Sequence, residues 1–222
     1  MSTHVLQRPG QLYEGLYPAV VTALGGDPDG RRRIEIEFPW LPDDGSGPPR
    51  AWATPVTPYA DDDQGFQMLP EIGSTVVVGF QAGYLDHPYV LGAVWNGKAP
   101  APEQFDDGND KRLIRTRSGS LLEFDDTSGS VKITLETRGG HQVVLDEGAM
   151  SIQIEHQNGT RIELTAAGGI SIIANSTVDV TAAMVKVDAP MSKFSGVVQC
   201  DTLIAQTGVV SPSYTPGAGN VW

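Results

Sequence analysis

The chain has 222 residues, of which 40% are hydrophobic and 19% are charged, and its formal net charge is −12. Abundant glycine (26) and proline (16) with few helix-forming runs favour an all-β protein of one or two domains. An acidic surface repels phosphates and weighs against nucleic-acid binding. The lone cysteine, Cys200, argues against a disulfide framework, and neither a signal peptide nor a membrane span is predicted.

Residues 1–11 are predicted to form a polar lead-in, and residues 12–98 carry five predicted strands. The clearest strand alternates polar and apolar residues and turns Ile34, Ile36 and Phe38 inward. The other strands begin near Tyr17, Ala51, Ser74 and Pro88, and loops rich in Gly, Pro and Asp separate them. Five short strands around a small core predict a barrel of the oligonucleotide/oligosaccharide-binding (OB) type.

Residues 99–112 are predicted as a linker, which alternating Ala and Pro stiffen at its start. Residues 113–205 then repeat short bursts in which apolar and polar residues alternate, and turns rich in Gly, Asn and Asp separate the bursts. This period of two places the apolar side chains on one face of successive strands. The predicted core residues of that face are Val131, Ile133, Leu135, Val143, Leu145, Ile152, Ile154, Ile162, Leu164, Ile170, Ile172, Val178, Val180, Val185 and Val187.

A sheet with one apolar face must be covered to be stable. No later apolar helix and no second set of strands is left in the chain to cover it. We therefore expect three copies to contribute one face each to a triangular prism around a threefold axis. The predicted fold is all-β, with a five-stranded OB-fold barrel followed by a trimeric, intertwined β-helix or β-prism shaft. An ordinary β-sandwich with irregular pairing is the alternative.

Several short motifs of the first domain occur in an order that is specific in combination. They are Gly30-Arg31, Trp52-Ala53, Gly65, Leu69-Pro70-Glu71-Ile72-Gly73, Val78-Gly79-Phe80, Asp86-His87-Pro88 and Val90-Leu91-Gly92-Ala93-Val94-Trp95-Asn96-Gly97. In these residues the chain resembles phage baseplate assembly protein V and the VgrG spikes of type VI secretion. The resemblance covers residues 12–102 well and the repeat more loosely.

This resemblance implies a structural role: a trimeric, membrane-piercing central spike of a phage tail, a tailocin or an injection particle. The barrel end would bind a baseplate hub protein, and the target-cell envelope would be met on firing. Some such spikes insert a lysozyme domain after the barrel, and the short linker leaves no room for one, so no enzymatic activity is expected. The protein would be made in the cytoplasm and assembled into the baseplate of a virion or injection particle.

Residues 206–222 are predicted to form the tip segment. The chain ends on Asn220, Val221 and Trp222, and three copies would present a blunt apolar patch of the kind that marks a partner site. By resemblance to blunt-ended spikes, the partner would be a PAAR-type tip protein. The alternative is that Trp222 packs back on its own trimer.

No catalytic, cofactor-binding or metal site is predicted. His4, His87, His141 and His156 are isolated in sequence, and the His-x-His motif of iron-binding tips is missing. The sequence leaves open whether copies of His141 or of His156 from different chains bind an ion together.

The acidic runs Asp43-Asp44, Asp61-Asp62-Asp63, Asp106-Asp107 and Asp125-Asp126 fall mostly in turns. They are therefore expected to be solvated turn residues and not a glycosidase pair or a calcium site. Cys200 is expected to be buried. Two other functions stay open at this point, a trimeric tailspike that binds or degrades polysaccharide and a barrel that binds single-stranded nucleic acid.

Overall fold

The computed structural model describes residues 11–43 and 45–211. Within these residues the secondary structure consists of β-strands and a 3₁₀ turn at Gln81–Gly83. The chain divides between Ile173 and Ala174 into two compact units. None of the described residues lies in a helix of the length and apolar character that crossing a lipid bilayer requires.

Five strands near the start of the chain close into a barrel in the order β1-β2-β3-β7-β6, which confirms the predicted five-stranded barrel. These strands are β1 (Tyr17–Ala23), β2 (Ile34–Glu37), β3 (Arg50–Pro55), β6 (Thr75–Phe80) and β7 (Pro88–Ala93). A small hairpin of β4 (Ala60–Asp61) and β5 (Gln64–Gly65) projects from it, where only a turn was predicted. Gly65 allows this hairpin because a Cβ there would lie 2.8 Å from the Tyr59 carbonyl oxygen.

The barrel interior is filled by the inward residues of the alternating strands. Ile34, Ile36 and Phe38 are at most 1% exposed, as their alternation predicts. A cluster of aromatic rings packs beside Phe38 and closes the barrel on that side; it comprises Tyr13, Tyr17, Trp40 and Phe80. The Trp40 indole nitrogen donates a hydrogen bond to the Pro18 carbonyl at 2.8 Å, so its polar atom is satisfied.

Seven further strands form a single antiparallel sheet, here called the ladder. Their spatial order is the chain order, so each strand pairs with the strand before it and the strand after it. The strands are β8 (Lys111–Arg115), β9 (Leu121–Asp125), β10 (Lys132–Glu136), β11 (Gln142–Asp146), β12 (Ser151–Glu155), β13 (Arg161–Leu164) and β14 (Ile170–Ile173). At about 4.8 Å per strand, the first and last strands are about 29 Å apart.

Four of the ladder turns share one design. In each, the amide of the residue five positions before the next strand donates a hydrogen bond to the carbonyl four residues later. The residue just before that carbonyl is a glycine with positive φ, at Gly119, Gly140, Gly159 and Gly168. A three-residue hairpin loop of this kind needs a left-handed residue, which glycine adopts without a steric penalty. The regular glycine spacing in the repeat is therefore turn chemistry.

The second unit is described to Ser211, and residues 174–211 contain neither a helix nor a strand. This differs from the prediction that Val178, Val180, Val185 and Val187 lie in two further ladder strands. A strand requires a hydrogen-bonded neighbour, and the alternation in this segment finds none within the described chain. Cys200, expected to be buried, is exposed for the same reason, because residues around it make no core.

Barrel and ladder are joined by residues 94–110, between β7 and β8. The predicted linker, 99–112, covers most of this segment and the first two residues of β8. The guanidinium of Arg117 lies 3.0 Å from the Glu71 carboxylate of the barrel, and Arg115 lies 3.2 Å from Glu103. The rings of Trp95 and Phe105 pack at 5.7 Å between their centres. The Arg117–Glu71 pair connects the first turn of the ladder to the barrel, and the other two contacts involve the segment between β7 and β8.

Candidate functional site

The candidate site is one face of the ladder, on which the strand register aligns apolar side chains into two rows. The first row crosses β9 to β14 through Phe124, Ile133, Leu145, Ile152, Leu164 and Ile170. The second row crosses β8 to β14 through Ile114, Leu122, Leu135, Val143, Ile154, Ile162 and Ile172. All the predicted core residues from Ile133 to Ile172 fall in these rows, and Val131 lies beside Ile133 on the same face.

The two rows are open to solvent in a single chain. Eleven of their large side chains are between 36% and 71% exposed, from Ile133 at the lower value to Ile170 at the upper. Burying a Val, Leu, Ile or Phe side chain completely contributes about 1.5–3 kcal/mol. Covering the exposed half of eleven such residues would therefore contribute on the order of 10 kcal/mol per chain, which is comparable with the stability of a whole domain.

The opposite face of the ladder is polar. Ion pairs cross between strands at Lys111 and Glu123 (3.8 Å) and at Lys132 and Asp146 (3.8 Å). The Gln153 side-chain amide donates to Glu163 at 3.5 Å. A face with these groups stays in water, so only the apolar face needs a cover.

A groove of about 810 Å³ runs along the second apolar row to one edge of the ladder. His141 and His156 stand at this edge, with 4.3 Å between their ring centres and a 51° angle between the ring planes. They are fifteen residues apart, and sequence reasoning treated them as isolated. The register brings them together, because Gln142 pairs with Glu155 and the next residues outward are the two histidines.

The two imidazoles accept hydrogen bonds from one turn. The Gln157 amide donates to Nδ1 of His141 at 3.5 Å, and the Asn158 amide donates to Nδ1 of His156 at 3.2 Å. An Nδ1 atom that accepts a hydrogen bond carries no proton, so the N–H group of each ring is at Nε2. In the part of the chain that the structure describes, no group of three or more His, Cys, Asp or Glu residues is placed to hold a metal ion.

The acidic runs lie mainly at turns and strand ends. Asp43 accepts hydrogen bonds from the Gly45 and Gly47 amides, and Asp44 lies outside the described residues. Asp125 ends β9, where hydrogen bonds from the Thr127 hydroxyl and amide lower the pKa of its carboxyl group. Asp43 and Asp125 thus each accept hydrogen bonds from the loop that they belong to.

The most strongly perturbed carboxylate belongs to the barrel. Asp27 accepts side-chain hydrogen bonds from Arg33, with 2.7 Å to Nη2, and further bonds from the amides of Asp29, Arg31 and Arg33. The Arg33 side chain, followed by these amides, holds the pKa of Asp27 far below its ordinary range. A carboxylate satisfied in this way fixes a loop and is not free to exchange a proton near neutral pH.

The remaining predicted site residues follow the ladder in sequence. Val178, Val180, Val185 and Val187 are 59% to 71% exposed and carry no strand. Asn220, Val221 and Trp222, predicted to bind a tip partner, lie outside the described residues, so that role stays a prediction.

Comparison with protein families finds two matching regions in this chain. Residues 17–95 match the type VI secretion system/phage-baseplate injector OB domain. Residues 132–192 match the phage baseplate V C-terminal trimerisation domain. The first region coincides with the barrel and the second includes most of the ladder together with the exposed valines that follow it.

Similar curated proteins include three that carry VgrG in their names. The "Type VI secretion system spike protein VgrG3" of Vibrio cholerae is 26% identical over 54% of this chain and 13% of its own length. VgrG1a of Pseudomonas aeruginosa, named as the same kind of spike protein, is 23% identical over 66% of this chain and 25% of its own length. The "Actin cross-linking toxin VgrG1" of V. cholerae is 24% identical over 66% of this chain and 14% of its own length. The matched part is thus a quarter or less of each relative.

Proposed function

This chain is one of the VgrG- and phage baseplate V-like spikes, and we propose that three copies of it form the central, membrane-piercing needle of a contractile tail or injection particle. The observation that carries the proposal is the pair of apolar rows on one face of the ladder. Three ladders that turn these faces toward a common axis bury both rows. The match of residues 132–192 to a trimerisation domain supports the number three.

Stiffness is the mechanical property that this arrangement supplies. Each strand of the ladder is hydrogen-bonded to its neighbours over four or five residue pairs. In a trimer, pulling one ladder away would also expose the apolar rows of the other two, so the chains would unfold together. A needle built in this way transmits the force of sheath contraction to its tip.

The proposed domain limits are 1–11 for the lead-in, 12–98 for the OB fold, 99–112 for the linker, 113–205 for the shaft and 206–222 for the tip. The two family matches, at 17–95 and 132–192, fall within the OB-fold and shaft limits. In the trimer, the segment with the exposed valines from Val178 to Val187 would complete the shaft by forming strands that pair with those of the other copies.

Each proposed partner is assigned to a part of the assembled spike. A baseplate hub protein would bind the barrel end, a PAAR-type tip protein would bind the residues around Trp222, and the target-cell envelope would be met on firing. The protein would be made in the cytoplasm and assembled into the baseplate of a virion or injection particle. Nucleic acid is not among the proposed partners, since the net charge of −12 opposes it.

The proposed role is structural and not enzymatic. One relative is named as a toxin, but the similarity covers 14% of that protein. Among the described acidic residues, Asp43 and Asp125 accept hydrogen bonds within their own loops, and Asp126 pairs with Arg112. The matches give no support to the alternative of a tailspike that degrades or binds polysaccharide.

Multi-angle light scattering on the purified chain tests the proposal. We expect the mass of three 23.7 kDa chains, and a band of the same assembly on an unheated SDS gel. A stable monomer in solution would contradict the proposal, because the apolar rows would then tolerate water or close within one chain.

A further inference from the structure

The apolar face is bordered by two different rims, one at each edge of the ladder. Residues that continue the alternation outward from the apolar rows lie on the same face as those rows. At one edge these residues are Thr116, Ser120, Thr137, His141, His156 and Thr160, here called the histidine rim. At the other edge they are Asp110, Asp126, Val131, Glu147 and Met150, here called the acidic rim.

The two rims are chemically complementary. The histidine rim consists of hydroxyl and imidazole groups and contains no carboxylate. The acidic rim carries three carboxylates, of which Asp126 pairs with Arg112 of its own chain. Within the described part of the chain, the Glu147 side chain has no ion-pair partner.

Both rims present their distinctive residues at the same level of the ladder. His141 immediately precedes β11 and Glu147 immediately follows it. Met150 immediately precedes β12 and His156 immediately follows it. The β11–β12 pair therefore has two histidines at one end and a glutamate and a methionine at the other.

Cyclic symmetry decides which rims can meet. In a ring of three identical sheets, every contact is head-to-tail, so one edge of each sheet lies beside the other edge of its neighbour. Two histidine rims or two acidic rims cannot meet in such a ring. Like-to-like contact would also place the three carboxylates of one acidic rim against three more, which is unfavourable.

We propose that in the trimer, on which this inference rests, His141 and His156 of one copy contact Glu147 and Met150 of the next. The imidazole N–H groups would donate hydrogen bonds to the Glu147 carboxylate. The Met150 side chain, 69% exposed in the single chain, would pack its thioether against the imidazole rings. The three contacts of the ring would fix the orientation and the relative height of the ladders, while the apolar rows would supply most of the free energy.

Cysteine cross-linking tests the contact. In a Cys200→Ser background, the full chain is made with His141→Cys, with Glu147→Cys and with both, and is oxidised or bridged with a short bismaleimide. A disulfide forms where Cα atoms come within about 4.4–6.8 Å, and the bismaleimide extends that reach by several ångströms. The double variant should run as a covalent trimer on a non-reducing gel, because each copy then carries one cysteine on each rim, whereas each single variant should stay monomeric there. A His87→Cys, Glu147→Cys variant, with one cysteine on the barrel, is the matched control and should give no covalent trimer.

Light scattering of every variant under reducing conditions separates the possible failures. A trimer in solution that neither reagent links through positions 141 and 147 overturns the rim contact and leaves the proposed needle intact. Dimers from either single variant overturn it as well, since they show rims of the same kind in contact. A Cys200→Ser parent that is monomeric overturns both proposals.

Discussion

At the scale of single residues, the barrel holds one strongly perturbed ion pair. The Asp27 carboxylate is 5% exposed and the Arg33 side chain 17%, and the loop amides around them complete the hydrogen bonding of the carboxylate. A satisfied carboxylate with a lowered pKa stabilises the folded state wherever it is ionised. Asp27 therefore fixes the loop between β1 and β2.

We expect Asp27→Asn to lower the melting temperature at pH 7, because an amide replaces a carboxylate that accepts five hydrogen bonds. The matched control is Asp29→Asn, which also removes a bond to Arg33 but lies at a carboxylate that is 52% exposed. Thermal unfolding by circular dichroism measures both. Equal shifts for the two variants would contradict the assigned role.

The pH dependence of this contribution has a definite sign. The folded-state pKa of Asp27 is lowered, so its stabilisation is fully present above the ordinary carboxyl pKa of about 3.9 and is lost as the pH falls below that value. The stability difference between the parent and Asp27→Asn should accordingly shrink in unfolding curves recorded from pH 5 down to pH 2. A difference that stays constant over this range would exclude the carboxylate as its source.

At the scale of elements, the ladder separates apolar from polar residues strand by strand. Val143 and Val144 show this separation with one residue type. Val143 belongs to the second apolar row, whereas Val144 lies on the polar face between Thr134 and Gln153. The two positions share a strand, a side chain and a β-propensity, so they differ only in the face that they occupy.

This pair gives a test of the interface. Val143→Lys should convert the trimer to smaller species, because it places a charge among side chains that the proposed assembly buries. Val144→Lys should leave the trimer intact, since its ammonium group faces water and the carboxylates of the polar face. Light scattering at equal concentration compares them, and loss of the trimer in Val144→Lys alone would assign the interface to the wrong face.

The ladder turns give a second test at this scale. Gly159 has φ +85°, and a Cβ there would have open space around it, so a substitution strains only the backbone. Gly159→Ala should lower the free energy of unfolding by about 1 kcal/mol, which is the cost of a left-handed alanine. Gly139→Ala, in a turn position without positive φ, is the control, and denaturant titration measures both. A larger loss at Gly139 would contradict the turn assignment.

The alternation of residues was sufficient to predict the barrel strands and the shared face of the ladder residues from Ile133 to Ile172, but not the row members Ile114, Leu122 and Phe124. Ile34, Ile36 and Phe38 point inward and Ile133 to Ile172 share a face, because a period of two fixes the side of a strand on which each residue lies. The pairing of His141 with His156 was not predicted, since it depends on register between strands. Alternation also could not reveal that Val178 to Val187 find no neighbouring strand within the chain, because the same pattern fits pairing within and between chains.

At the scale of the whole molecule, folding and association should be linked. If the apolar rows are buried only between copies, the folded ladder is stabilised by mass action. The melting temperature should then rise with protein concentration over a hundredfold range, as differential scanning calorimetry can measure. A melting temperature independent of concentration would contradict this linkage, provided that the unfolding is reversible.

The chain-order pairing of the ladder strands has a consequence for how such a protein varies in length. Each strand contacts only the strands next to it in the chain. Residues inserted at one turn would therefore leave the contacts between all the other strands unchanged. Adding one hairpin of two strands would restore the strand direction, keep the apolar rows in phase and move everything beyond it by about 10 Å. Duplication or loss of roughly twenty residues can therefore lengthen or shorten the ladder, while the barrel keeps its own structure.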